Sequence, residues 1–139
     1  MPTPKQHTII VCASTEKIAD VREFVAGHAT NFGFSEEDVH DIRLAVDEAY
    51  TNVVKHAYQF DNTKKVEVTV KTFRNEFLVS ISDEGAAFDF ASYKEPNIEE
   101  RIMLRKRGGV GVYLIRKLMD RVEYRSSGRQ NEILMSKKR

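Results

Sequence analysis

DIRLAVDEAYTNVVKHAY, residues 41–58, reads as a helix with one apolar side. Val39, Ile42, Val46, Ala49, Val53 and Ala57 recur at helical spacing and form a stripe that must face a core. Glu48, Asn52 and His56 follow one another at intervals of four and line the border of that stripe. A carboxylate and an amide therefore project together from the edge of a buried helix. On an ordinary amphipathic helix such a border is only a polar shoulder. Two later segments change its meaning: DEG at Asp83 to Gly85 and RGGVG at Arg107 to Gly111.

Ser35 followed by Glu36, Glu37 and Asp38 supplies the start of this helix, as a hydroxyl cap with acidic residues in the first turn. Upstream, His7 to Ala13 is β-branched and predicts a strand closed by Ser14. Ile18, Val21, Phe24 and Val25 then predict a helix that stops at Asn31 and Gly33. His28 near its end reads as structural. Downstream, Asp61, Asn62 and Thr63 turn the chain. Val66, Val68 and Val70 alternate with polar residues as in a half-buried strand, and Phe77 to Ser82 returns beside them as a hairpin. Residues 86–108 are polar and without a period, which predicts a long functional lid, with a short helix at Ile98 to Leu104. Val112, Leu114, Ile115, Leu118 and Met119 mark a further helix after the glycines. Arg121 to Ser126 and Glu132 to Lys137 close the chain as a second hairpin. The order argues for one α+β domain over residues 1–139: a two-layer α/β sandwich with a mostly antiparallel, mixed sheet and helices on one face.

Composition narrows the function classes. With 41% hydrophobic and 31% charged residues the chain is globular, and a net charge of +1 gives no reason to expect direct nucleic-acid binding. No apolar run is long enough to span a bilayer, so no membrane role is expected. The N-terminal residues MPTPKQHT lack a signal-peptide core, and the single cysteine, Cys12, cannot pair within the chain. Both fit a reducing, cytoplasmic setting.

Each site residue suits one task in phosphate chemistry. Gly109, Val110 and Gly111 precede a helix, where a glycine-rich backbone can approach an anion at the positive end of the helix dipole. They form neither a P-loop nor a Rossmann fingerprint, because no strand leads into them and no Lys-Ser/Thr follows. Asp83 leaves a strand into Glu84 and Gly85, so its carboxylate can be fixed at the end of the sheet while Gly85 admits a flat ligand. Asn52 offers a neutral oxygen suited to Mg²⁺ that also holds phosphate oxygens. Glu48, one turn earlier, can orient or deprotonate an attacking hydroxyl. Arg107 can counter charge developing on a terminal phosphate. Taken singly, Asp-Glu-Gly is an ordinary turn and the glycines a tight helix entry; their joint order carries the reading.

E-x-x-x-N on a helix, then D-x-G, then a variable lid, then G-x-G at a helix start resembles the Bergerat-fold ATPases. Within that superfamily the length, DEAYTNVVKHAY, DEGAAFDF and GGVGVYLIRKLMD resemble the anti-sigma-factor serine kinases of bacterial partner-switching systems. The resemblance implies ATP and Mg²⁺ as cofactors. It makes Glu48 the general base, Asn52 the metal ligand, Asp83 the adenine contact and Gly85 part of the adenine pocket. Gly109 and Gly111 would cradle phosphates, with Arg107 near the γ-phosphate. It further implies a small anti-anti-sigma (STAS-type) protein as substrate, a sigma factor as a second partner, and a homodimer. Two departures stand out: Ala87 replaces the last glycine of D-x-G-x-G, and Asn131 and Glu132 stand where many relatives place a threonine near the adenine. Two alternatives stand beside it: an ATP-sensing module that binds partners without phosphotransfer, against which an intact Glu48 argues, and a non-catalytic interaction domain in which the motifs are structural relics.

Overall fold

The computed structural model describes residues 4–58, 61–85, 110–127 and 130–139, with the side chains of residues 56, 57, 110–112 and 127 left aside. The expected lid, including the helix expected at Ile98 to Leu104, lies outside the described residues, as do Ala87, Arg107, Gly108 and Gly109.

Strand β1 (Lys5–Cys12) ends at Ser14, whose hydroxyl accepts from Glu16 N and caps a short 3-10 turn, Thr15–Lys17. Helix α1 (Ile18–Phe32) follows directly. It ends where Gly33 takes φ 107°, a left-handed conformation that glycine adopts without steric cost. Ser35 caps helix α2 (Glu36–Asn52) by accepting from Asp38 N. Beyond Asn52 the expected helix continues to Tyr58, but as a π-helical turn, Val53–Ala57, closed by Tyr58 N donating to Val53 O at 2.9 Å. The wider turn ends the strict α-helical spacing of α2. It also buries Tyr58, which is 7% exposed.

Strands β2 (Lys65–Phe73) and β3 (Glu76–Asp83) form the predicted hairpin. Helix α3 (Val110–Leu118) precedes the second hairpin, β4 (Arg121–Ser127) and β5 (Gln130–Lys138). The sheet order is β1-β2-β3-β5-β4, and every pairing among the described residues is antiparallel, so the mixed character expected from sequence does not appear there. Hairpins account for the β2–β3 and β4–β5 neighbours, and β5 reaches β3 over the connection that contains α3.

Register sorts the sheet into two faces. Val68 pairs with Ile81 and Ile81 with Ile133, while Val70 pairs with Val79 and Val79 with Met135. With Val66 and Phe77 these residues are all at most 9% exposed, and they meet Val21, Val25 and Ala29 of α1, Ile42, Val46 and Ala49 of α2, and Ile115 of α3 in one core. Each Val, Ile, Phe or Met side chain among them contributes about 1.5–3 kcal/mol on burial. The opposite face carries Thr8, Glu67, Thr69, Lys71, Ser80 and Glu132, with Thr8 and Thr69 hydroxyls 2.9 Å apart and Ser80 donating to Glu132. No helix among the described residues is long and apolar enough to cross a membrane.

Candidate functional site

The candidate residues that the structure describes fall on two structural units and on the first turn of α3. The first is α2, which packs against both α1 and α3 and carries Glu48 and Asn52 on its half-buried border. Neither side chain has a hydrogen-bond or ion-pair partner among the described residues. Burial raises the proton affinity of the Glu48 carboxyl, the Asp47 charge beside it adds to the effect, and Lys55 works against both. The carboxyl is thus raised from its ordinary value, in the direction that suits a group asked to take a proton near neutral pH.

The second unit is the sheet end at Asp83, which is 6% exposed. Its Oδ1 accepts from Gly85 N at 2.8 Å and from Asn131 Nδ2 at 3.0 Å. Asn131, 3% exposed, also donates to Gly85 O at 2.8 Å and accepts from Ser126 Oγ at 2.8 Å. The β3–β5 register sets Asn131 opposite Asp83, so a neighbouring strand clamps the turn that follows β3. Asp83 Oδ2 takes no hydrogen bond among the described residues. Burial raises the Asp83 carboxyl, and the two donors on Oδ1 hold it back only in part. A donor supplied by a ligand would complete the set and favour the ionised form.

Tyr58 joins the two units. Its hydroxyl accepts from Glu84 N at 2.7 Å and donates to Lys65 O at 2.8 Å, fixing the backbone between Asp83 and Gly85 to the start of β2. Tyr50, fully buried in α2, plays a similar part at the other side: its hydroxyl lies 2.7 Å from Ser14 O and 3.0 Å from Cys12 O. Sequence reading missed the roles of both tyrosines and of Asn131. The signal for Tyr58 was its place at the helix end just before the Asp61 turn. Asn131 needed the strand register.

Of the remaining candidates, Arg107 and Gly109 lie outside the described residues. Val110 and Gly111 are the first two residues of α3, so the helix begins earlier than the expectation that it followed Gly111. No cluster of three or more metal-ligating side chains occurs among the described residues. Mg²⁺ bound with phosphates keeps several waters and needs only one or two protein oxygens, and the unengaged Asn52 amide is of that kind.

Residues 11–137 match the model of the histidine kinase-like ATPase domain. A serine-protein kinase RsbW from Halalkalibacterium halodurans is 36% identical over 124 residues, covering 86% of this chain and 75% of that protein. RsbW from Bacillus velezensis is 33% identical over 120 residues, covering 83% and 74%. Among solved structures, the SiaB-SiaC complex from Pseudomonas aeruginosa contains a chain with TM-score 0.72 and 11% identity, over 94% of this chain and 88% of that one. The RsbU and RsbW domains of Rv1364c from Mycobacterium tuberculosis give TM-score 0.67 and 15% identity, over 99% of this chain and 32% of that one. At these identities the two structures speak to the fold alone.

Proposed function

Because the chain belongs to the histidine kinase-like ATPase family and covers most of the length of its RsbW serine-protein kinase relatives, we propose that it is an ATP-dependent serine/threonine protein kinase of the partner-switching type. The observation that carries the nucleotide part is Asp83. A carboxylate buried at the sheet end, with Oδ1 held by two donors and Oδ2 unbonded among the described residues, is matched to a donor such as the exocyclic amine of adenine. Guanine presents a carbonyl oxygen at that position, so the same carboxylate disfavours GTP.

Glu48 is the group assigned to the acceptor hydroxyl, as the general base, and its raised proton affinity is the property that role requires. Asn52 would hold Mg²⁺, which when bound neutralises phosphate charge. Gly85 leaves room at the adenine corner. Gly109, Val110 and Gly111 offer backbone N–H groups toward phosphates, and Arg107 meets charge on the transferring group. The lid at about 86–108 would close around ATP and shape the partner surface.

The substrate in this reading is a serine on a small anti-anti-sigma (STAS-type) protein, with a sigma factor as the second partner, bound in turn by a cytoplasmic homodimer. Thermal unfolding with and without Mg-ATP tests the nucleotide site. A ligand of the folded state adds about 2.7 kcal/mol of stability at a hundredfold excess over its Kd. Asn52→Ala is expected to lose most of the Mg-dependent part of that gain, and Asp83→Asn to lose most of the adenine-dependent part. A parent protein with no rise at millimolar Mg-ATP would overturn the reading. Transfer of the γ-phosphoryl group from labelled ATP to a STAS-type protein tests the kinase step; binding of that protein without transfer would favour a nucleotide-sensing module.

A further inference from the structure

The end of the sheet remote from Asp83 carries a groove that the proposed function does not use. Strand β3 spans Glu76–Asp83, so the turn before it lies roughly 20–25 Å from Asp83. Beside that turn Lys5, Phe32, Phe73, Arg74 and Arg139, with two uncharged polar residues, line an open groove of about 400 Å³. Its side chains bring three positive charges and no negative one. Part of the groove is fixed in advance. The Phe32 ring packs against Phe34 and the buried Phe77, with centroids 5.4 and 5.7 Å away. Arg139 lies over Phe32 at 4.3 Å, and its guanidinium donates to Phe32 O and, at 3.3 Å, to Arg74 O. Gly33 leaves room for it, since a Cβ there would stand 3.3 Å from Arg139 Nη1. A cation at the C-terminal end of α1 is favoured by the helix dipole, so Arg139 has a structural task.

Arg74 and Lys5 have no such task. Neither meets a carboxylate among the described residues, although Glu76 stands opposite Phe73 across the hairpin. Arg74 takes φ 58°, a left-handed conformation that Gly or Asn adopts at lower cost. Its guanidinium stands 5.3 Å from the centroid of the Phe73 ring, which is itself 39% exposed. A cation–π contact at so open a site is the smaller of the two effects. The turn thus accepts backbone strain to hold a cation over an exposed ring, and local stability gives no reason for it.

We propose that this groove docks an acidic segment of a partner protein, with carboxylates against Arg74 and Lys5 and an apolar side chain on Phe73. Charge complementarity argues for the acid, since every charged side chain that lines the groove is a cation. Both Nη atoms of Arg139 are engaged by backbone carbonyls, so it supplies charge rather than a free fork for a compact anion. Cations that flank aromatic rings match a segment in which carboxylates neighbour an apolar residue better than they match a lone phosphate. Because the groove and the Asp83 corner lie at opposite ends of β3, docking here leaves the nucleotide corner free and needs no ATP.

The test is a ¹⁵N NMR titration of the full chain with a short synthetic peptide of Asp and Glu around one Leu and one Phe. Its Asn and Gln counterpart, inorganic phosphate and phosphatidylglycerol vesicles are the comparisons. The expected result is saturable displacement of the amides of Lys5, Phe73, Arg74 and Arg139, unchanged by Mg-ATP and weakened by salt. Arg74→Gly relieves the turn and removes the cation. It should lower the peptide's affinity about tenfold while urea unfolding shows stability held or raised. Lys5→Gln should lower the affinity as well. No saturable displacement at millimolar peptide, equal binding of the neutral peptide, or binding untouched by Arg74→Gly overturns the proposal. So does tighter binding of phosphate at the same amides, which would mark a small-anion site, or vesicle binding lost in Arg74→Gly, which would mark a membrane contact. An Arg74→Gly protein less stable than the parent would give Arg74 a structural task and overturn it too.

Discussion

The Asp83 corner and the Glu48–Asn52 border are both built from acidic or amide side chains, yet they are held in opposite ways. At the corner, short hydrogen bonds join Asp83 Oδ1, Gly85, Asn131 and Ser126, and Tyr58 holds Glu84 N beside them, with Asp83 Oδ2 alone left open among the described residues. On the border, Glu48 and Asn52 stand half-buried on α2 with no partner among the described residues. A group that must recognise a ligand's shape benefits from being fixed before the ligand arrives, since the ordering cost is then met by the fold. A group that must exchange a proton or accept a metal has to be left unengaged. On the proposed function, the contrast divides the site into a recognition half and a reaction half.

The largest effect that separates the halves is expected from Glu48→Gln, which keeps the size of the side chain but removes the proposed base. Phosphoryl transfer should fall by about 10²–10⁴-fold with the Kd for Mg-ATP nearly unchanged, read by single-turnover transfer and by calorimetry. Undiminished transfer by this variant would remove the reaction half from the account.

Asp83→Asn comes next, with effects of opposite sign on binding and stability. The Asn side-chain oxygen can still accept from Asn131 and Gly85, but replacing the carboxylate weakens the bond to adenine by about 1.5–3 kcal/mol, or roughly 10–100-fold in affinity. Stability without nucleotide should be held or raised at neutral pH. The sign follows from the raised Asp83 carboxyl, which binds its proton more tightly folded than unfolded. Its contribution to stability is therefore most favourable below the unfolded value of about 3.8, and is lost as pH rises through the folded value. Denaturant unfolding of parent and variant from pH 7 downward should show the parent gaining on the variant as the pH falls through that window. A variant that is less stable at pH 7 and equally selective for ATP over GTP would erase the distinction between the halves.

Tyr58→Phe probes the joint between them with the smallest expected change. The ring stays buried while Glu84 N and Lys65 O lose their partner, at a cost of about 1–3 kcal/mol in unfolding free energy. ATP affinity should weaken with the loosening of the Asp83–Gly85 turn, and the transfer rate at saturating ATP should hold. A fall in that rate instead would place Tyr58 on the reaction side.

Much of this was legible because local chemistry and tertiary role coincide. Ser35 with three acids after it is a helix start in any context, and it caps α2 as expected. Val66, Val68 and Val70 alternate because one face of β2 is buried, and they are buried without exception. The roles of Tyr50 and Tyr58 were not legible, since a tyrosine on a helix shows nothing of where its hydroxyl ends. The π turn escaped for a related reason: a shift of one hydrogen bond along the helix leaves no mark in the pattern of apolar residues.

The sequence by itself determined the element order, both hairpins and the family of the chain, because periodicity, caps and turn residues act over a few positions and the site motifs keep their order along the chain. Tertiary structure alone decided which partners each polar group finds. Asn131 meets Asp83 across 48 residues only because β5 inserts beside β3, and Arg22 meets Asp47 only because α1 lies along α2. Such contacts depend on register and helix packing, quantities set by the whole core rather than by any segment of it.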